Sequence, residues 1–595
     1  MEFLRSLTGE VPRKGDQTLF LPKIDWNINS NNTFSISYNR LRWESPNGVQ
    51  TQPTNTRGRA SFGDDVVSID SVNARLTSTL SSNIINEARF QWGRDFERQY
   101  STPPAPGEPS TALGGTRAPS MFITNGFSFG TPNFLDRFSY PDERRIQVAD
   151  TVTWTAGRHT FKFGGDINRV SDTIDNLFTG AGSYSYNNTG DFIIDYVNYI
   201  DGLPGTTACI NTNRTVGKCY TSNYQQGFGF SGIKLQTWDY NFFVQDDFRI
   251  NPRLTVNLGL RYEYIKMPEV QLPGPSNVVI PYDGRTVAEA TSKLPEDKNN
   301  FGPRIGVAYD VFGDGRTSFR AGYGVYFGRI QSSTIYNAMI NTGNPGGQTL
   351  LSLSGSNASA PIFPEVLPDN TPATLGASAV QFFSENFQAP KIHQYDVILE
   401  HQLMKNTVVS VSYIGSLGRN LPTFFDLNNE LTGSRTYTVN GGPFSGQTFT
   451  LPRYSRFGGA IGSQSMTRIQ STVKSQYDAL VFAFNRRFTN GLQFQASYTL
   501  AKSTDTNQNS ATFTQTNSPY DILDGSYDVG PSNFDTRHKV VVSGVWAPNF
   551  YKGSKNSVQN YLLNGWSFAP ILTYYSGRPF SGTVSGSSLN GSFGD

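Results

Sequence analysis

The sequence predicts an all-β fold, an antiparallel up-and-down β-barrel that crosses a membrane. Three observations predict it. Apolar and polar residues alternate over long runs. The runs pair across tight turns. Short and long connections then alternate strictly along the chain. The cleanest run is LTVNLGLRYEY. Leu254, Val256, Leu258, Leu260, Tyr262 and Tyr264 fall on one side, and Thr255, Asn257, Gly259, Arg261 and Glu263 on the other. The first set is expected to face lipid and the second a lumen.

Eight hairpins follow in chain order. The first is KIDWNINSNNTFSISYNR, where Ile24, Trp26 and Ile28 lead into an Asn-rich turn and Phe34, Ile36 and Tyr38 return. The second turns near Ser81-Ser82-Asn83, with Ile84, Ala88, Phe90 and Trp92 on one face. The third sets Phe161, Phe163 and Ile167 against Lys162, Asp166 and Asn168. The fourth, VQDDFRINPRL, turns at Asn251-Pro252. The fifth turns at Gly313-Asp314-Gly315 and the sixth near Lys405-Asn406. The seventh turns at Asn490-Gly491, a dipeptide suited to a type I′ turn because both positions tolerate positive φ. The eighth pairs RHKVVVSGVW with NGWSFAPILTYYSG through a longer connection.

About 16 strands are expected, many of nine to thirteen residues. Average soluble strands have about five or six residues, whereas a tilted strand crossing a bilayer needs about nine to eleven. Long polar connections lie near 43–65, 101–143, 173–237, 267–300, 330–390, 415–475 and 502–536. In an up-and-down barrel such sorting puts every short turn at one end and every long loop at the other. Outer-membrane barrels have that asymmetry, with short periplasmic turns and long extracellular loops. Recurrent Trp and Tyr near strand ends, among them Trp26, Trp92, Trp154, Trp238 and Trp546, suit interfacial girdles. Asp246 resists, because it shares a side with Val244 and Phe248. Either it lies near the headgroups, or a bulge at Phe242-Phe243 re-aims it.

Composition narrows the function. The 595 residues are 16% charged with a net charge of +2, which gives no reason to expect nucleic acid as a partner. No run of about 18 apolar residues exists, so no transmembrane helix is expected, and a barrel gives no such run. Cys209 and Cys219, in ACINTNRTVGKCY, are expected to close a local disulfide in an oxidising compartment. A metal pair is disfavoured, since no His or second Cys pair lies nearby. The four histidines, His159, His393, His401 and His538, show no metal-ligand spacing. GFSFG places Ser128 in a G-x-S-x-G frame, but in a Pro- and Gly-rich loop rather than a strand-to-helix elbow. STVK, from Ser471 to Lys474, lacks the companion motifs of S-x-x-K enzymes. No catalytic residue, cofactor or metal site is expected. GDFIIDYVNYIDGLPG, from Gly190 to Gly205, has near-helical apolar spacing and reads as a short helix at the loop end.

FFVQDDFRINPRLTVNLGLRYEY resembles the barrel of TonB-dependent outer-membrane receptors, and more narrowly the Oar-like branch. PKIDWNINSNNTFSISYNR, FGPRIGVAYDVFGDGRTSFRAGYGVYFGR, YDALVFAFNRRFTNGLQFQASYTLAKSTD, FDTRHKVVVSGVWAP and NGWSFAPILTYYSGRPF match in the expected order. The resemblance implies a 22-strand barrel around an N-terminal plug, with the TonB complex drawing on the plug to admit an unidentified extracellular ligand across the outer membrane. Residues 1–21 read as a lead-in and 22–595 as a partial barrel, truncated at both ends. No plug or TonB box is expected in this chain, nor a terminal strand in SSLNGSFGD. The expected structure is therefore a curved sheet or a barrel with a gap. Alternatives are a plugless porin-like channel and a secreted or surface adhesin built of soluble sandwiches.

Overall fold

The computed structural model describes residues 2–579 except 50–56, 125, 203–206, 211–213, 221–222, 369–370, 372–378, 459–460, 462–464, 507–524 and 549–556. The stretch SSLNGSFGD lies outside the described residues.

All eight hairpins form and join, antiparallel to their neighbours, one 19-stranded sheet. Their strands are Lys23–Asn29 with Asn32–Ser45, Asp64–Ser81 with Ile84–Tyr100, Arg137–Ala156 with His159–Asn176, and Gly232–Asn251 with Leu254–Lys266. Then come Asn300–Asp310 with Thr317–Phe327, Lys391–Met404 with Thr407–Asp426, Met466–Thr489 with Leu492–Thr506, and His538–Trp546 with Ile571–Tyr575. Each pairs with the next in this order. Three short strands complete the sheet: Asp16–Phe20, Val380–Phe383 and Val529–Pro531. Among the described residues no pairing joins Ile571–Tyr575 to Asp16–Phe20 or Lys23–Asn29, so the expected gap is present.

Turn chemistry sets these registers. Asn490 and Gly491 have φ of 52° and 75°, and a Cβ on Gly491 would lie 2.5 Å from the Ala547 carbonyl oxygen. At the fifth turn the Asp310 carboxylate accepts from the amides of Gly313 and Gly315, both at 2.9 Å. No bulge occurs at Phe242-Phe243. The register runs unshifted from Trp238 to Phe248, and Asp246 sits opposite Leu258 and Phe161. It meets His159 Nδ1 at 2.7 Å, beside the third short turn. The contact with His159, not a re-aimed backbone, accommodates this carboxylate.

The strands run longer than the alternation suggests. Met466–Thr489 has 24 residues, and Arg137–Ala156 and Thr407–Asp426 have 20 each. At about 3.3 Å per residue, 24 residues reach roughly 80 Å, well over the ~30 Å of a hydrocarbon core. Backbone pairing continues beyond the level where one face must be apolar, so the period-two signal stops before the strand does.

The long loops fold over their end of the sheet. Ser120–Ile123, Ser183–Tyr186, Asn223–Gly229 and Gln348–Ser354 make a separate four-stranded sheet. The expected helix is present as Thr189–Ile200, capped by the Asn188 side chain accepting from the Asp191 amide. A second helix, Ser332–Ile340, buries Ile335, Met339 and Ile340 against Ile233 and Leu235 of one wall segment and Phe424 and Ile469 of another. It therefore bridges wall strands that are not neighbours.

Candidate functional site: a charged inner face beneath a folded loop cap

The register assembles two adjacent rows of opposite character. Ile24, Ile36, Ala74, Phe90, Val148, Ile167, Tyr240 and Tyr264 are direct cross-strand neighbours over eight strands. One residue along, on the opposite face, lie Asp25, Ser35, Arg75, Arg89, Ala149, Asp166, Asn241, Glu263 and Asn300. Period-two strand geometry makes this separation automatic once the hairpin registers are fixed. Leu254, Val256, Leu258, Leu260 and Tyr262 share the first face, with Leu258 and Leu260 49% and 44% exposed. Thr255, Asn257, Gly259, Arg261 and Glu263 share the second.

The second face is a continuous polar network. Asp166 Oδ1 accepts from Gln147 and Asn241, each at 3.0 Å, and Arg261 lies 3.6 Å from its other oxygen. Arg261 also donates to Glu263. Asp239 is buried and accepts from Asn168 at 2.9 Å and from Arg329, which enters from the loop before the Ser332–Ile340 helix. Two cavities open on this face. One, of about 490 Å³, is edged by Lys23, Arg75, Arg89 and Asp166. The other, of about 370 Å³, is edged by Asp166, Asp239, Arg261, Glu263, Asn300 and Arg329. Both include Gln147 and Asp166 in their walls. Such a surface offers hydrogen-bonding side chains suited to polar and charged groups.

The cap is built differently. Tyr184, Tyr186, Tyr220 and Tyr224 are wholly buried with Leu4, Leu7, Phe129 and Phe192. Each tyrosine hydroxyl has a partner. Tyr186 donates to Asp195 Oδ2 at 3.0 Å, Tyr220 to the Pro361 carbonyl at 2.9 Å, Tyr224 to Gln226 at 2.5 Å and Tyr184 to the Glu365 carbonyl. Cys209 and Cys219 are disulfide-bonded in the structure, with Cα atoms 5.3 Å apart. The Cys219 amide donates to Asp195 at 2.8 Å. Burial pushes the Asp195 carboxyl up to about 7, although both hydrogen bonds favour its ionised form. Among the described residues, the one group at metal-ligand spacing is Asp195 with these two sulfurs. Because the sulfurs are bonded to each other, neither is a thiolate ligand.

The remaining motif residues are scattered. Ser128 lies in the cap next to buried Phe129. Ser471 Oγ accepts from the Gln388 amide at 3.0 Å. His401 contacts Thr317, His393 contacts Tyr323 and His538 contacts Tyr498, each at 2.8 Å and each across to a neighbouring wall strand. The structure also assembles residues the sequence reading did not single out as a group: Asp239, Asn300, Arg329 and the cap tyrosines. Asp239 and Asn300 occupy the polar phase of their strands, a signal present in the sequence. Arg329 and the tyrosines sit in connections, where no periodicity marks them.

An open, up-and-down sheet with long strands, an apolar face, a charged face and loops sorted to one end defines an outer-membrane β-barrel wall. The chain belongs to the outer membrane beta barrel domain family, whose model matches residues 5–595, and it is an outer-membrane protein. It is similar to the TonB-dependent transporter Oar of Myxococcus xanthus, with 22% identity over 494 residues, 74% of this chain and 40% of Oar. Among solved structures it is similar to the outer membrane transporter YddB from Escherichia coli, with a TM-score of 0.52 and 10% identity over 95% of this chain and 62% of YddB. The YddB likeness shows the shared fold. The chain thus spans less than two thirds of the length of either relative.

Proposed function

We propose that this chain forms the wall of a TonB-dependent outer-membrane receptor that takes up a ligand across the outer membrane. The similarity to Oar along 74% of the chain carries the reading. In it, Leu254, Val256, Leu258, Leu260 and Tyr262 face lipid, and Thr255, Asn257, Gly259, Arg261 and Glu263 face the lumen. The short turns are periplasmic and the folded cap is extracellular. The Cys209–Cys219 disulfide suits that oxidising side. The edges at Lys23–Asn29 and Ile571–Tyr575, open among the described residues, need backbone partners in this reading, since unpaired backbone is not tolerated against lipid. The TonB complex acts through a plug rather than through the wall residues described here, and the role is transport, not catalysis.

The test uses the protein extracted from its native outer membrane. Cross-linking in energised cells is expected to capture it with TonB, and planar-bilayer recordings are expected to show no standing conductance. Persistent open-channel current with no TonB adduct would support a porin instead.

A further inference from the structure

We propose that the 370 Å³ cavity on the inner face is a subsite for a protonated primary amine carried by the ligand. The proposal rests on reading this face as the lumen. Its walls hold three carboxylates, Asp166, Asp239 and Glu263, against two guanidinium groups, Arg261 and Arg329. Arg261 is shared between Asp166 and Glu263, while Arg329 is committed to Asp239. The site is therefore short of one positive charge.

The unpaired atoms specify what is missing. Asn300 lines the cavity, is 4% exposed, and its Oδ1 has no hydrogen-bond partner. Asn168, which bonds Asp239 but does not itself line the cavity, is 2% exposed and has an unpartnered Oδ1 as well. Neither amide can be reversed without loss. The Asn300 nitrogen donates to the Asp297 carbonyl at 3.2 Å and the Asn168 nitrogen to the Asp239 carboxylate, so a flip would set oxygen against oxygen. Both orphans are thus acceptors beside these carboxylates, Asn300 alone of the two lining the cavity, and a buried acceptor without a donor is costly. The missing group must bring positive charge and several N–H donors. A bare metal ion fits poorly. Among the described residues these carboxylates are not gathered at metal-ligand spacing, whereas an ammonium offers three diverging donors.

The test titrates 1,5-diaminopentane calorimetrically into the detergent-solubilised protein purified from outer membranes. Glutarate and the bis-trimethylammonium analogue, which keeps the charge but lacks N–H donors, serve as comparisons. The diamine is expected to bind saturably, the analogue at least roughly tenfold more weakly, and glutarate not at all. Asn300→Leu and Glu263→Gln should each weaken the diamine by about tenfold. Glu263→Gln keeps the side-chain shape, so it decides the matter if Asn300→Leu loses its heat-modifiable folded band. Absence of saturable binding, equal affinity for the two cations, or unchanged affinity in Glu263→Gln would overturn the subsite. Failure of the receptor reading shows separately, as loss of the outer-membrane fraction or of the TonB adduct.

Discussion

Leu258 and Asn257 are neighbours in sequence and face opposite ways, and their substitution separates the two environments. Leu258→Arg puts a guanidinium on the apolar face, where a charge costs about 2–4 kcal/mol at the bilayer midplane. Asn257→Arg adds the same charge to the polar face at little cost. The expected outcome is a smaller heat-modifiable folded fraction for Leu258→Arg and a wild-type fraction for Asn257→Arg. Asp246 is the natural counterexample. It sits on the apolar face level with Leu258, its carboxylate 2.7 Å from His159 Nδ1. In the cap, Asp195 carries a pH signature. Its carboxyl is raised to about 7 by burial from 3.8. Between those values the folded cap holds a proton that the unfolded chain has released. Cap stability therefore falls as pH rises from about 4 to about 7 and is flat above that. Guanidinium midpoints followed by tyrosine fluorescence should show the decline in the native protein and lose it in Asp195→Asn.

At the level of hairpins, tight turns fix register, and register fixes every face. Gly491→Val should be costly, because φ of 75° disfavours a β-branched residue and its Cβ would strike the Ala547 carbonyl oxygen. A loss of roughly 1–3 kcal/mol is expected, read as a slower-folding, less heat-modifiable barrel. The disulfide joins residues ten positions apart, and opening so short a loop with Cys209→Ser plus Cys219→Ser should cost the cap about 3 kcal/mol in the chain-entropy model, seen as faster proteolysis of that region. Hairpins of this kind are legible in sequence because their contacts are local: LTVNLGLRYEY carries its own periodicity and its own turn. The cap is not legible in this way. Its four strands have four to seven residues and come from three different loops. Ser120–Ile123 pairs in parallel with Ser183–Tyr186, and neither segment announces the other. The charged cavity falls between these cases. Asp166 and Arg261 could be placed on the lumen side from alternation alone, but Arg329 reaches Asp239 from 90 positions away, and no local pattern encodes that.

For the whole molecule, strict sorting of connections is the property from which the rest follows. It puts the turn at Lys405-Asn406 and the exposed loop hairpin of Glu430–Thr438 and Thr448–Ser455 at opposite ends of the wall. It also leaves the charged face between the cap and the turns. The most direct measurement is maleimide labelling of single cysteines in intact cells. Cys209 and Cys219 are bonded to each other and stay silent without reductant. Ser434→Cys, on the exposed hairpin, should react with a membrane-impermeant maleimide in intact cells, and Lys405→Cys should react only after the outer membrane is permeabilised. Equal labelling of both positions in intact cells, or release of the protein without detergent, would contradict the barrel.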